Sequence, residues 1–179
     1  MNKWKILSEK QVFKAKLFEV KELKIKQNGR DLVHHIAKRH PTISVIPVTE
    51  NLEIYLVSQY RYMLEKQTLE AMAGFIDVGE TPLDASKREL KEETGISAKE
   101  WIKLTEIEMA ASVFKGVNHI FLAKDLTHGT AHNEEGEEIS LVKIPLDEAV
   151  GKVIKGEINH SASVIGILLI DKLRTLGKI

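Results

Sequence analysis

The stretch GFIDVGETPLDASKRELKEETGI, residues 74–96, carries six acidic and three basic side chains, and the reading of the whole chain turns on it. Its second half has the marks of a helix. Thr81 is a capping residue, Pro82 suits the first helical position, and Asp84 follows Thr81 at the spacing of a capping box. Gly95 is a natural stop. These signals predict a helix over about residues 82–94. At about 100° per residue, Glu89 and Glu93 share one face a turn apart, with Glu92 a turn beyond Glu89 on the neighbouring side. Leu83 and Leu90 share an adjoining face that can anchor the helix to a sheet. Arg88 and Glu92 stand at helical i,i+4 spacing and can pair, which would orient the carboxylate.

Carboxylates that converge repel one another unless something neutralises them. Hard oxygen donors of this kind suit Mg²⁺ or Mn²⁺. Such an ion can bridge to phosphate oxygens and activate water. Taken as a helix pattern alone, the same residues describe an ordinary solvated face with i,i+4 pairs. The spacing of the flanking residues separates the two.

The rest of the composition sets bounds. The chain has 179 residues, about one domain by length, and 43% of them are apolar, so a packed core is expected. Charge is balanced at 26 Lys/Arg against 26 Asp/Glu. Residues 1–40 nevertheless carry eleven basic and four acidic side chains, a net of +7, and the remainder is therefore −7. That basic end reads either as a solvated strand face or as a surface for an anionic ligand or an acidic patch on a second subunit. The chain contains no cysteine, which excludes disulfides, thiolate catalysis and Cys-based zinc sites. Met1-Asn2-Lys3-Trp4-Lys5 leads into no apolar signal segment, and the longest apolar run, Val164 to Ile170, is too short to span a bilayer. A cytoplasmic setting without membrane contact is expected.

Outside the opening stretch, Leu17 to Gln27 and Asp31 to Ala37 alternate loosely around Asn28-Gly29, a hairpin signal. Thr42 to Thr49 and Glu53 to Tyr60 read as strands around a Glu50-Asn51 turn, and Pro47 marks an edge, an end or a bulge. Thr68 to Ala73, Trp101 to Met109, Asn118 to Ala123 and Ile139 to Ile144 complete the expected strands. Gly129 to Glu138 is a polar, acidic loop. Pro145 opens a helix through about Lys155, and Asn159 or Ser161 caps a last helix to about Leu176. The fold class expected is α/β (α+β), with helices packed on mixed sheets. The expected organisation is an N-terminal strand extension over residues 1–40 and a main domain over residues 41–179.

Gly74, Glu80, Arg88, Glu89, Leu90, Glu92, Glu93, Gly95 and Ile96 match, position for position, the Nudix box, and the chain resembles a Nudix hydrolase. The resemblance extends outward. Gln59-Tyr60-Arg61, Leu69 to Gly74, His119 to Leu126 and Gly156-Glu157-Ile158 are similar to elements of the ADP-ribose and nucleoside-diphosphate-sugar pyrophosphatases, with Met72 standing where that group has Pro. The resemblance implies a Nudix-type α/β/α sandwich with a mixed sheet plus N-terminal antiparallel strands. It implies Mg²⁺, with Mn²⁺ as an alternative, held by Glu89, Glu92, Glu93 and the backbone carbonyl of Ala73. Glu80 would support the loop by pairing with Arg88 or through water. It implies a general base in the acidic loop, with Glu137 the best match and Glu135 the second, beside a catalytic part for Glu93. Arg61, Glu70 and Gln59 fall at substrate-binding positions. By themselves, Arg61 and Glu70 also read as structural ion-pair partners.

One element departs. Where the ADP-ribose enzymes carry Ser-Pro-Gly, this chain has Met109-Ala110-Ala111-Ser112-Val113-Phe114. That leaves another substrate open, such as GDP-mannose or a dinucleoside polyphosphate. A nucleotide-sensing module without catalysis is the alternative from another class, opposed by the complete set of box carboxylates. Nucleic acid is not an expected partner, because no aromatic interleaving supports base stacking around His34-His35. The resemblance implies a homodimer that exchanges its N-terminal strands and acts on a nucleoside diphosphate sugar.

Overall fold

The structure, a computed structural model, describes residues 4–131 and 139–179. The chain divides into two compact units: the described residues up to Pro41 with Glu108–Val117, and Thr42–Ile107 with Asn118–Ile179.

The first unit is a sheet of order β1-β2-β3-β9, from β1 (Trp4–Lys14), β2 (Phe18–Gln27), β3 (Arg30–Arg39) and β9 (Phe114–Lys115). Asn28 and Gly29 both take positive φ, the two-residue turn that an Asn-Gly pair favours, and β2 pairs with β3 from Gln27↔Arg30 to Phe18↔Arg39. The sequence reading has no counterpart for β1. All eleven of its residues are exposed, so no burial rhythm was there to be read.

The second unit is an α/β/α sandwich. Its strands are β4 (Thr42–Pro47), β5 (Glu53–Arg61), β6 (Lys66–Glu70), β7 (Met72–Phe75), β8 (Ile96–Glu108), β10 (Val117–His128) and β11 (Ser140–Pro145). They form one sheet of order β7-β4-β10-β8 and another of order β11-β5-β6, linked by a bridge from Val48 to Ile54. Parallel and antiparallel pairs are mixed: β4 runs parallel to β10 and antiparallel to β7. Helix α1 (Pro82–Thr94) covers one face, and α2 (Leu146–Ile154) and α3 (Ser161–Thr175) cover the other.

The two-residue period of the strands builds both cores. Ile43, Val45, Tyr55 and Val57 pack with Ala85 and Leu90 of α1. The alternate residues Ile46, Val48, Ile54 and Leu56 pack with Leu146 and Ala149 of α2 and Ile167 and Ile170 of α3. Every residue of β4 is buried, the pattern of a strand covered on both faces. Pro47 is its last residue, so of the three placements the sequence allowed it marks an end.

Helix α1 matches its expected bounds. The Thr81 hydroxyl accepts the Asp84 N–H at 3.1 Å and donates to Asp84 Oδ2 at 2.6 Å, and Gly95 closes the helix at φ 71°. The anchor differs from expectation. Ala85, Ser86, Leu90 and Thr94 are buried, whereas Leu83, in the first turn of the helix, is only half-buried. The cap of α3 also differs: His160 occupies the capping position and its side chain makes no capping bond. Met109 to Phe114 forms a turn leading into β9, with Val113 and Phe114 N–H both donating to the Ala110 carbonyl.

Candidate active site

Two polar clusters stand out in the second unit. The first is built on the edge strand β7 and on α1. Arg88 is its hub. Its Nε and Nη2 each donate to a Glu80 oxygen at 3.0 Å, Nη1 donates to Glu89 Oε1 at 2.7 Å and to Glu92 Oε2 at 3.2 Å, and Nη2 also donates to the Phe75 carbonyl at 2.9 Å. One planar guanidinium thus serves three carboxylates and the backbone, which its fork of five N–H donors allows. The pairing of Glu80 and of Glu92 with Arg88 agrees with the sequence reading. The two hydrogen bonds that Arg88 donates to Glu80, then the one it donates to Glu89, raise the Arg88 pKa against the effect of burial, and the bonds to Glu80 hold that carboxyl below the ordinary range. Glu80 also accepts the Asp77 N–H at 3.1 Å, fixing the loop before the helix.

Gly74 explains itself here. A Cβ built on it would lie 1.9 Å from Glu89 Oε1 and 2.0 Å from Glu89 Cδ. The Glu89 carboxylate therefore lies directly against the strand backbone, where only glycine leaves room. Glu93 follows one helical turn later, with its Oε2 shielded from solvent. Among the described residues no three His, Asp or Glu side chains are already gathered as a metal centre. Glu89 and Glu92 point to Arg88 instead. The donors are still the right chemistry for a hard divalent cation: carboxylate oxygens on one helix beside the backbone of an edge strand.

The second cluster holds Arg61 and Glu70. Register places Glu70 opposite Val57 and Thr68 opposite Gln59. These residues therefore share the face of their sheet on which Val57 packs into the core that also holds Ala85 and Leu90. Glu70 is only 2% exposed. Arg61 grips it bidentately, Nε to Oε1 at 3.0 Å and Nη2 to Oε2 at 2.7 Å, and the Thr68 hydroxyl adds a bond to Oε1 at 2.7 Å. Burial alone would push the Glu70 pKa up; the bonds from Arg61 and Thr68 outweigh it and hold the carboxyl below its ordinary value. Gln59 is half-buried and enters through its backbone carbonyl, which accepts from the Thr68 hydroxyl at 3.1 Å.

The expected strand from Thr68 to Ala73 is in fact two strands in two sheets, parted at Ala71. The Ala71 N–H donates to Ser163 Oγ of α3 at 2.8 Å, and Ser163 Oγ is 3.0 Å from His160 Nδ1. His160 Nδ1 in turn is 4.0 Å from Glu70 Oε2. Burial lowers the His160 pKa, against the pull of Glu70. Thr68, His160 and Ser163 escaped the sequence reading, since single hydroxyls and a lone histidine carry no spacing signal. Glu135 and Glu137 lie outside the described residues.

Comparisons with known proteins identify the family. The NUDIX domain model matches residues 38–164. The chain is similar to the ADP-ribose pyrophosphatase of Bacillus subtilis (strain 168), at 29% identity over 91% of this chain and 90% of that one. It is equally similar, at 29%, to the methanol dehydrogenase activator of Bacillus methanolicus, over 91% of this chain and 92% of that protein. Among solved structures, a crystal structure of an ADP compounds hydrolase superposes with a TM-score of 0.85 at 27% identity, covering 99% of this chain and 97% of that one. With the NUDIX model spanning residues 38–164, most of the sequence, the chain belongs to the NUDIX domain family and is a Nudix hydrolase.

Proposed function

We propose that the chain hydrolyses the pyrophosphate bond of ADP-ribose, or of a related nucleoside diphosphate sugar, with a bound divalent cation. The cation of choice is Mg²⁺, with Mn²⁺ as a substitute. The observation that carries this is the Glu89 carboxylate lodged against the bare backbone of Gly74. Glu89, Glu92, Glu93 and the Ala73 carbonyl would hold the ion. The two-residue period of β7 supports Ala73, two residues before Phe75, whose carbonyl faces Arg88. When bound, such an ion offsets charge on the pyrophosphate oxygens and lowers the pKa of a water.

The chain's own residues supply the rest. Glu137, with Glu135 as second choice, accepts the proton of the attacking water. The water oxygen bonds to one phosphorus, and the bridging oxygen leaves with the other phosphate. A nucleoside monophosphate and a sugar phosphate result. Arg61, Glu70 and Gln59 orient the substrate, with the buried Glu70 fixing the direction of the Arg61 guanidinium. Arg88 holds Glu80, Glu89 and Glu92 in place before any ligand arrives, which spares reorganisation at the moment of reaction.

The names of the relatives, an ADP-ribose pyrophosphatase and an ADP compounds hydrolase, support an ADP-linked substrate. The Met109 to Phe114 turn, lacking Ser-Pro-Gly, keeps GDP-mannose and dinucleoside polyphosphates as the alternative substrates. Residues 1–40 are proposed as an extension exchanged in a homodimer. Exposed Trp4, Ile6, Leu7 and Phe13 on β1 support a partner surface there. Light scattering at micromolar concentration should give twice the 20.2 kDa chain mass, and a monomeric mass would contradict the dimer. Among the described residues no helix is long and apolar enough to cross a membrane. A cytoplasmic setting remains part of the proposal. The test of substrate is nucleoside monophosphate release with Mg²⁺ from ADP-ribose, GDP-mannose and a dinucleoside polyphosphate side by side. Preference for ADP-ribose is expected; preference for either of the others would reassign the substrate to the Met109 to Phe114 change.

A further inference from the structure

We propose that Ser163 is a positioning residue for the metal platform, setting through Ala71 the place at which Ala73 and Gly74 meet Glu89. The inference rests on the metal-dependent hydrolysis proposed above. The ladder of β5 and β6 ends at Val57↔Glu70, and that of β4 and β7 begins at Val45↔Met72. Ala71 falls between them, in neither ladder, and is 1% exposed. Its N–H is out of reach of bulk water and needs a partner from the protein. Ser163 Oγ provides it at 2.8 Å.

Ser163 is itself fully buried. Having accepted from Ala71, its hydroxyl has a proton to donate, and His160 Nδ1 at 3.0 Å takes it in the neutral imidazole. The serine is held in place by the packing of its helix. A Cβ on Gly166 of α3 would come within 2.6 Å of Ile46 Cδ1 and 3.3 Å of Ile120 Cγ2, so the helix sits down on β4 and β10 through that glycine. The frame is closed: β4 seats α3 at Gly166, α3 fixes Ala71 through Ser163, and β4 fixes β7 through its ladder. Two residues past Ala71 comes the Ala73 carbonyl, and one further is Gly74 under Glu89. Ser163 touches no substrate; it acts through the backbone.

The test compares Ser163→Ala, Ser163→Thr and Glu89→Gln with the unmodified full-length protein. Three quantities are read: Mn²⁺ affinity by electron paramagnetic resonance without nucleotide, KM for ADP-ribose at saturating metal, and the thermal midpoint. Ser163→Ala is expected to weaken Mn²⁺ binding roughly ten- to a hundredfold, as loss of a supporting hydrogen bond behind a metal site does. KM should stay near that of the unmodified protein, and Ser163→Thr should restore most of the affinity. A folded Ser163→Ala with unchanged Mn²⁺ affinity overturns the proposal, even if its midpoint falls. If Ser163→Ala fails to fold, His160→Ala removes the acceptor of the serine proton at a half-buried position. It should weaken Mn²⁺ in the same direction, and unchanged affinity there overturns the proposal equally. Glu89→Gln separates the two readings. If it loses Mn²⁺ while Ser163→Ala keeps it, only the role of Ser163 falls; if Glu89→Gln also keeps Mn²⁺, the metal platform itself falls.

Discussion

Replacing Gly74 with alanine puts the box geometry to a sharp test. The added Cβ would sit 1.9 Å from Glu89 Oε1, where ordinary contact begins at 3.4 Å. The carboxylate must therefore retreat by about 1.5 Å, the difference of those two distances. Gly74 has no positive φ, so the backbone bears no strain from the change. The clashing atoms are the far end of a flexible side chain, which can swing away cheaply. The fold should survive, with Gly→Ala itself returning up to about 1 kcal/mol in a strand. The site should not. A displacement of about 1 Å in a catalytic group costs on the order of a hundredfold in rate, so Gly74→Ala should lose at least about that factor in kcat. Steady-state hydrolysis of ADP-ribose beside a thermal melt reads both halves. Gly151→Ala is the control, since a Cβ there meets nothing within 4 Å and should leave activity unchanged. A folded Gly74→Ala with the activity of the unmodified protein would refute the placement of Glu89 against the strand.

Other outcomes follow from the same contacts. Arg88→Gln leaves Glu80, Glu89 and Glu92 facing one another without their shared cation, and should cost about 2 kcal/mol in urea unfolding, less than a fully buried pair because Arg88 is partly exposed. Added Mg²⁺ should recover part of that loss, because a bound cation offsets the same repulsion. Acid should destabilise the fold in two stages. The folded pKa values of His160 and His119 are both lowered from 6.5 by burial, so the unfolded chain takes up protons first and stability declines as pH falls past that value. Glu70 is held below 4.5 in the fold, so its contribution persists above that pH and is lost as pH falls further, through the folded value. Thermal midpoints measured from pH 8 to pH 3 should show both declines, and His160→Gln should shrink the first; a flat profile between pH 7 and pH 5 would contradict the burial assigned to the two histidines.

The sequence was most legible where local chemistry and global fold agree. Thr81, Pro82 and Gly95 state the ends of α1 in the chain itself, and the alternation of β4 and β5 states two buried faces. Glu89, Glu92 and Glu93 could be located on one helix from spacing alone. Pairing of Arg88 with Glu92 and with Glu80 was expected; what spacing could not show is that the same guanidinium also takes Glu89, since neighbours in sequence do not face each other on an ideal helix. Nor could it show the break at Ala71. Thr68 to Ala73 has the composition of one strand, and only the competing ladders of β5 and β4 divide it. β1 was illegible for a different reason. A strand with both faces exposed leaves no hydrophobic rhythm, and its pairing with β2 is a matter of backbone bonds that any side chains allow.

The most direct test of the central claim is nucleoside monophosphate release from ADP-ribose by the purified chain, with Mg²⁺ and with excess chelator, beside Glu93→Gln. AMP and a sugar phosphate should appear with Mg²⁺, stop with chelator, and fall by orders of magnitude in a folded Glu93→Gln. Release that persists in chelator, or a Glu93→Gln variant with undiminished turnover, would contradict the assignment of the α1 carboxylates to a metal-dependent hydrolysis.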